Sequence, residues 1–170
     1  MRIHGSRSFT AIVVALLVAV GVAAPAQAAG FQHIVNTATG KCVDLVDGRT
    51  STGTRVHQWS CGSESSRWSS TDLGNGFIQL HNRTGGLCLS LVWGTLIVDI
   101  RSCNDRSDQR LWWRWESADP FGNLVLRTPP AGGSACLALL PFSNSNGTSI
   151  GIADCATTSA QIWQPRPAGT

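Results

Sequence analysis

The 170-residue chain lacks the marks of the commoner enzyme classes. It has no His-Glu-x-x-His pair and no glycine-rich phosphate loop opening a helix. No two cysteines stand two to four residues apart, so the usual zinc spacing is missing and neither a metal nor a cofactor is expected. A large excess of either charge is also missing. The whole chain is formally +3, but two of its 13 basic residues, Arg2 and Arg7, lie in the first ten. Without them 11 bases face 10 acids, which leaves no electrostatic footprint for nucleic acid or an anionic membrane. Sustained helical periodicity is absent from residue 29 onward. Short apolar runs bounded by Gly, Asn, Asp and Ser take its place, which is a strand pattern.

The first 28 residues read as an address. Arg2 and Arg7 supply a positive start, residues 11–24 form an uncharged apolar run, and Ala26-Gln27-Ala28 gives the small-residue pattern of a signal-peptide cleavage site. That run is 14 residues long, short for a membrane span of about 20. The expectation is cleavage before Ala29, a secreted extracellular product and no membrane insertion afterward; a retained anchor is the alternative. Residues 29–170 then suit a single domain.

Six cysteines in an exported chain read as three disulfides, for which 15 pairings exist in principle. An internal repeat selects one of them. Three segments open on Cys-apolar-x-Leu, at Cys42 (CVDL), Cys88 (CLSL) and Cys136 (CLAL), each followed by a second cysteine 15 or 19 residues later. An apolar residue comes seven or eight positions after that, at Trp68, Leu111 and Trp163, and is expected to form a shared core. First cysteines recur with periods of 46 and 48, and Asn36 and Asn82 both lie six residues before theirs. Such spacing implies repeated units that cannot bury their apolar faces alone. The expected bonds are Cys42–Cys61, Cys88–Cys103 and Cys136–Cys155, with repeats at about 31–76, 77–121 and 122–166. About four short strands per unit would close into an all-β barrel-like domain; a propeller would need more than three blades.

The Cys-apolar-Asp opening at Cys42, the Trp two before Cys61 and the Gln-x-Trp closure at Gln161, set on three copies of one plan, resemble the ricin-B-type lectins. The resemblance covers residues 29–170 and implies a β-trefoil that binds carbohydrate, a simple sugar or a polysaccharide, without catalysis. A pyranose offers an apolar C–H face and a ring of hydroxyls, so its site needs one flat aromatic and a few fixed polar groups. Carried over from that family, the first repeat supplies Asp44 as hydroxyl acceptor, Trp59 as stacking ring, His57 where Gln is common, and Ser65 where Asn is common. Alternation along a strand puts His57 and Trp59 on one face. A turn-capping Asp44 and a core-packed Trp59 are the structural alternatives.

The other repeats read as structural copies. In the second, Ser90 and Arg101 replace the acid and the aromatic, while Asp108 and Gln109 remain; in the third, Ala138, Ala153 and Ala160 stand at the key places. His33 and His81 read as equivalent positions in two repeats, hence structural. The run Trp112-Trp113-Arg114-Trp115 is expected to bury alternate members, an adhesive patch being the alternative. The family is often appended to hydrolases or toxins, and the chain ends seven residues after Trp163, so a lone binding module or a separate protein partner is expected. A protein-binding β-trefoil with decayed sugar sites, an inhibitor or adhesion factor, is the second reading.

Overall fold

The computed structural model describes residues 30–129 and 135–169. The expected signal peptide 1–28, its cleavage before Ala29 and most of the 129–135 insertion lie outside them. The described chain is all β apart from three single-turn 3-10 segments. The strands are β1 (Gln32–Asn36), β2 (Cys42–Leu45), β3 (Val56–Trp59), β4 (Trp68–Gly74), β5 (Phe77–Asn82), β6 (Cys88–Leu91), β7 (Val98–Arg101), β8 (Arg114–Ser117), β9 (Leu124–Arg127), β10 (Ala135–Leu139), β11 (Ile150–Asp154) and β12 (Trp163–Pro167).

Six of them close a ring. β1 pairs with β12 and β4, β4 with β5, β8 with β9, and β9 with β12, while an Ile78–Trp113 bridge joins β5 to the start of β8. The other six form three hairpins, β2–β3, β6–β7 and β10–β11. These meet one another in a cycle through the bridges Arg55–Asp99, His57–Ser149 and Ile97–Gly151. A six-stranded barrel capped by a triangle of hairpins is a β-trefoil. Each hairpin carries its own disulfide, at Cys42–Cys61, Cys88–Cys103 and Cys136–Cys155.

The core shows the threefold plan most directly. Trp68, Trp113 and Trp163 are fully buried. Each indole N–H donates to the carbonyl of the residue after its unit's first cysteine: Val43 at 3.0 Å, Leu89 at 2.9 Å and Leu137 at 2.9 Å. The end of every unit is thereby tied to its beginning, and a buried indole keeps its one donor satisfied. This corrects the expected set of Trp68, Leu111 and Trp163. Leu111 is buried, but Trp113 is the equivalent residue. It lies ten residues after Cys103, against seven and eight in the other units, because the 3-10 turn Gln109–Leu111 follows a longer connection. Trp112 and Trp115 are half-buried, so alternation in that run holds at Trp113.

Two buried asparagines join neighbouring units. Asn36 donates to the carbonyls of Ser159 and Ile162, and Asn82 to that of Ser65 at 2.7 Å. Asn82 also accepts from the Thr84 N–H and hydroxyl, so both ends of its amide are engaged inside the fold. His33 and His81 are not equivalent after all. His81 stands opposite Cys88 as Val35 stands opposite Cys42.

Candidate functional site

The first hairpin arranges the site. In the β2–β3 ladder Asp44 stands opposite His57 and Cys42 opposite Trp59. Directly opposed residues in an antiparallel ladder share a face, so acid, imidazole and indole project together. The Cys42–Cys61 bond holds the end of the hairpin, and the chain then enters a 3-10 turn, Glu64–Ser66, capped by the Ser63 side chain. Asp44, His57, Trp59 and Ser65 line one pocket of about 250 Å³, completed by Leu45, Asp47, Gly48 and Ser63.

Within that pocket the groups divide by exposure. Trp59 is 42% exposed, which removes the core-packing alternative for it. Its ring lies nearly parallel to that of His57, with centroids 5.2 Å apart and planes 17° apart. Asp44 is buried and does serve locally, because Oδ1 accepts from the Leu45 N–H at 2.7 Å and Oδ2 from the Ser63 hydroxyl at 2.8 Å. Each carboxylate oxygen retains a further lone pair, so the structural role leaves acceptor capacity. Ser65 donates to the Ser63 oxygen at 3.3 Å and so stands one hydroxyl from Asp44. Ser66, in the place of the motif's glutamine, is buried and donates to the Ser63 carbonyl at 2.8 Å. Burial holds the His57 imidazole below its ordinary pKa of 6.5, with Asp44 and then Asp47 pulling the other way.

Asp47, Gly48 and Ser63 escape a reading by motif. The signal available was the Asp-Gly pair, a turn dipeptide. Both residues take positive φ, 55° and 62°, which folds the loop over the pocket. Asp47 is exposed and pairs with Arg49 at 3.2 Å.

A segment of the third unit borders the same face. Gln58 exchanges backbone bonds with Gly147 and Thr148, and its side-chain amide donates to the carbonyls of Ser143 and Ser145 at 2.7 and 2.8 Å. The loop 141–148 is thus clamped beside Trp59. One string here, Gly147-Thr148-Ser149-Ile150-Gly151, has the Gly-x-Ser-x-Gly pattern of a nucleophile elbow. The fold explains it otherwise. The string runs from a turn into β11 and not from a strand into a helix. An added Cβ at Gly151 would strike the Leu96 carbonyl. Ser149 bridges His57 through the backbone, and no hydrogen bond joins their side chains among the described residues.

The corresponding faces of the other hairpins are filled differently. On β6–β7, Ser90 stands opposite Asp99 and Cys88 opposite Arg101. Arg101 grips Asp99 through Nε at 3.1 Å and Nη2 at 2.7 Å, so an ion pair lies where the first hairpin has imidazole and indole. Counting back from Trp113, Arg110 and Leu111 take the places of Ser65 and Ser66, which corrects the expected Asp108 and Gln109. Asp108 instead caps the 3-10 turn. On β10–β11, Ala138 faces Gly151 and Cys136 faces Ala153, with nothing to stack or accept. His81, Cys88 and Cys103 bring ligand atoms within 4.8 Å of one another, but both sulfurs are in a disulfide and hold no metal.

Comparison with known proteins agrees with this architecture. Residues 22–100 match the sequence model of the ricin-type β-trefoil lectin domain-like family. A search of curated protein sequences found no match. Among solved structures, the designed three-fold symmetric protein ThreeFoil is 24% identical at a TM-score of 0.73, over 81% of this chain and 98% of that one. The Rhizoctonia solani agglutinin is 19% identical at 0.68, over 85% and 99%. The C-terminal half of the earthworm R-type lectin, solved with GalNAc, is 13% identical at 0.65, over 81% and 98%.

Proposed function

We propose that this β-trefoil, ricin-type lectin-like across residues 22–100, is an exported, non-catalytic carbohydrate-binding module whose one working site is the first-hairpin pocket. The observation that carries the reading is the exposed Trp59 ring set beside the buried, hydrogen-bonded Asp44 carboxylate. A sugar ring stacks its C–H face on the indole, and its hydroxyls donate to the lone pairs that Asp44 keeps free. His57 and Ser65 supply the remaining polar contacts. Preorganisation favours this: Asp44 is pinned by two donors, so little side-chain entropy is lost when ligand arrives.

A glycan-array screen followed by calorimetry tests the proposal. A defined class of neutral saccharides should bind, with loss of binding in Trp59→Ala and weakening in Asp44→Asn. Binding left unchanged by Trp59→Ala would move the site elsewhere. A protein-binding role is the second reading, favoured by exposed Trp93, Leu96 and Phe142 on the hairpin loops. An array with no hits, together with a protein captured through those three residues, would put it first.

A further inference from the structure

We propose that His57 is a proton switch on this pocket: saccharide binds while its imidazole is neutral and is released when the ring is protonated. The inference rests on the carbohydrate reading of the site, and on three features of its geometry. The imidazole is buried in the pocket wall, is stacked on the one exposed recognition ring, and stands across the strand pair from Asp44. No hydrogen bond to the His57 ring exists among the described residues, so the ring's two nitrogens are left to ligand and solvent.

The charged groups around it set the direction. β2 contributes Asp44, and the turn after it contributes Asp47, whose own partner is the exposed Arg49. Arg55, immediately before β3, lies two residues away and lines the neighbouring cavity between the hairpins together with His57. β7 brings Asp99, already held by Arg101. The loop 141–149 brings no charged residue. An imidazolium at His57 would therefore find two carboxylates and an indole face in its favour, with the Arg55 guanidinium opposing it. The groups in its favour are the same ones that a sugar must use. Protonated His57 and ligand compete for Asp44 and Trp59, and a seated sugar strips further water from the ring. Ligand thus favours the neutral form, and by linkage protonation disfavours ligand. The burial that already lowers the His57 pKa keeps the ring neutral, and the pocket competent, at neutral pH.

The sign follows directly. Affinity should be flat above the ordinary imidazole value of 6.5 and fall on acidification through the lowered His57 pKa, by at most about tenfold per pH unit for one proton. The test uses the full chain, free GalNAc as the probe, and His57→Gln, a side chain of similar reach that cannot titrate. Two arms are needed. In the first, ligand-free NMR follows the His57 ring protons and the Trp59 indole N–H from pH 8 to pH 4. A common midpoint below 6.5, with the Trp59 shift lost in His57→Gln, is expected; independent behaviour of the two rings overturns the switch. In the second, calorimetry across the same range should show an acid loss of GalNAc affinity in the parent and a flat profile in the variant. Equal pH profiles in both proteins overturn it as well. Failure of GalNAc to bind at any pH counts against this sugar as ligand, and the calorimetry is then run with the saccharide that binds best on the glycan array, an array without hits overturning the carbohydrate reading and the switch together.

Discussion

Trp59 and Trp68 stand nine positions apart and do opposite work. Trp68 is fully buried with its N–H on the Val43 carbonyl, whereas Trp59 is exposed and stacked on His57. Substitution separates the two roles. Trp68→Ala or Trp113→Ala should cost about 3–5 kcal/mol in chemical denaturation, because each empties a core position and orphans a buried carbonyl. Trp59→Ala should leave the melting temperature nearly unchanged while removing saccharide binding. Titrating groups add a second expectation at this scale. His57 and His81 both have pKa values lowered by burial, and His81 carries a buried, unpaired Nε2. A group that titrates lower in the folded state contributes stability above its unfolded pKa and loses it as pH falls through the folded one. Thermal unfolding should be pH-independent above about 7 and begin to weaken below 6.5. Asp108, lowered by its hydrogen bond to Arg110, should add a second decline in the carboxylate range. A melting temperature that rises between pH 7 and 5 would contradict the burial of both histidines.

Between residues and fold lie the hairpins and the loops they hold. β3 carries the pocket on its outer residues, His57 and Trp59, and the clamp on its inner one, Gln58. Gln58→Leu keeps the volume but strips two loop carbonyls of their donor and leaves Thr39 without its acceptor. The cost should be about 2 kcal/mol or more, and hydrogen exchange should rise across 141–148 before it rises in β2. Equal protection of that loop in both proteins would show that the backbone bonds to Gly147 and Thr148 hold it without help. Legibility in the sequence follows the same division. Asp44, His57 and Trp59 could be read because they keep fixed offsets from cysteines, and a disulfide-closed hairpin preserves offsets. Asp47, Gly48 and Ser63 could not, since loop residues enter the pocket through turn geometry. Leu111 reads as the core residue for a related reason: the connection after Cys103 is longer, so counting from the cysteine stops two residues short of Trp113.

At the scale of the molecule, threefold repetition supplies the fold and leaves the outer faces of the hairpins free to differ. The barrel closes only when all three units contribute, because β1 of the first unit pairs with β12 of the last. Selection for folding therefore holds the three buried tryptophans and the three disulfides, and says nothing about the outer faces of the hairpins. Those faces have diverged into three chemistries: an acid, imidazole and indole on the first, an Arg101–Asp99 ion pair on the second, and alanines with glycine on the third. The periodicity that revealed the repeat in the sequence also exposed the losses, since Ser90, Arg101, Ala138 and Ala153 stand at countable positions. The proposed reading of one competent pocket per chain leads to a quantitative expectation. A half-open pocket with serines in place of longer amides should bind a monosaccharide with Kd on the order of 1 mM, about −4 kcal/mol, at a stoichiometry of one. A repeating polysaccharide offers many copies of the epitope, but a single-site chain gains from them only by rebinding or by self-association. Surface plasmon resonance on an immobilised polymer, with free monosaccharide in the dissociation buffer to suppress rebinding, should therefore show fast dissociation that does not slow as ligand density rises. A density-dependent slowing, lost in Trp59→Ala, would mean that chains associate on the polymer. The same slowing retained in Trp59→Ala but lost on substituting Arg101 would show that the second hairpin binds after all.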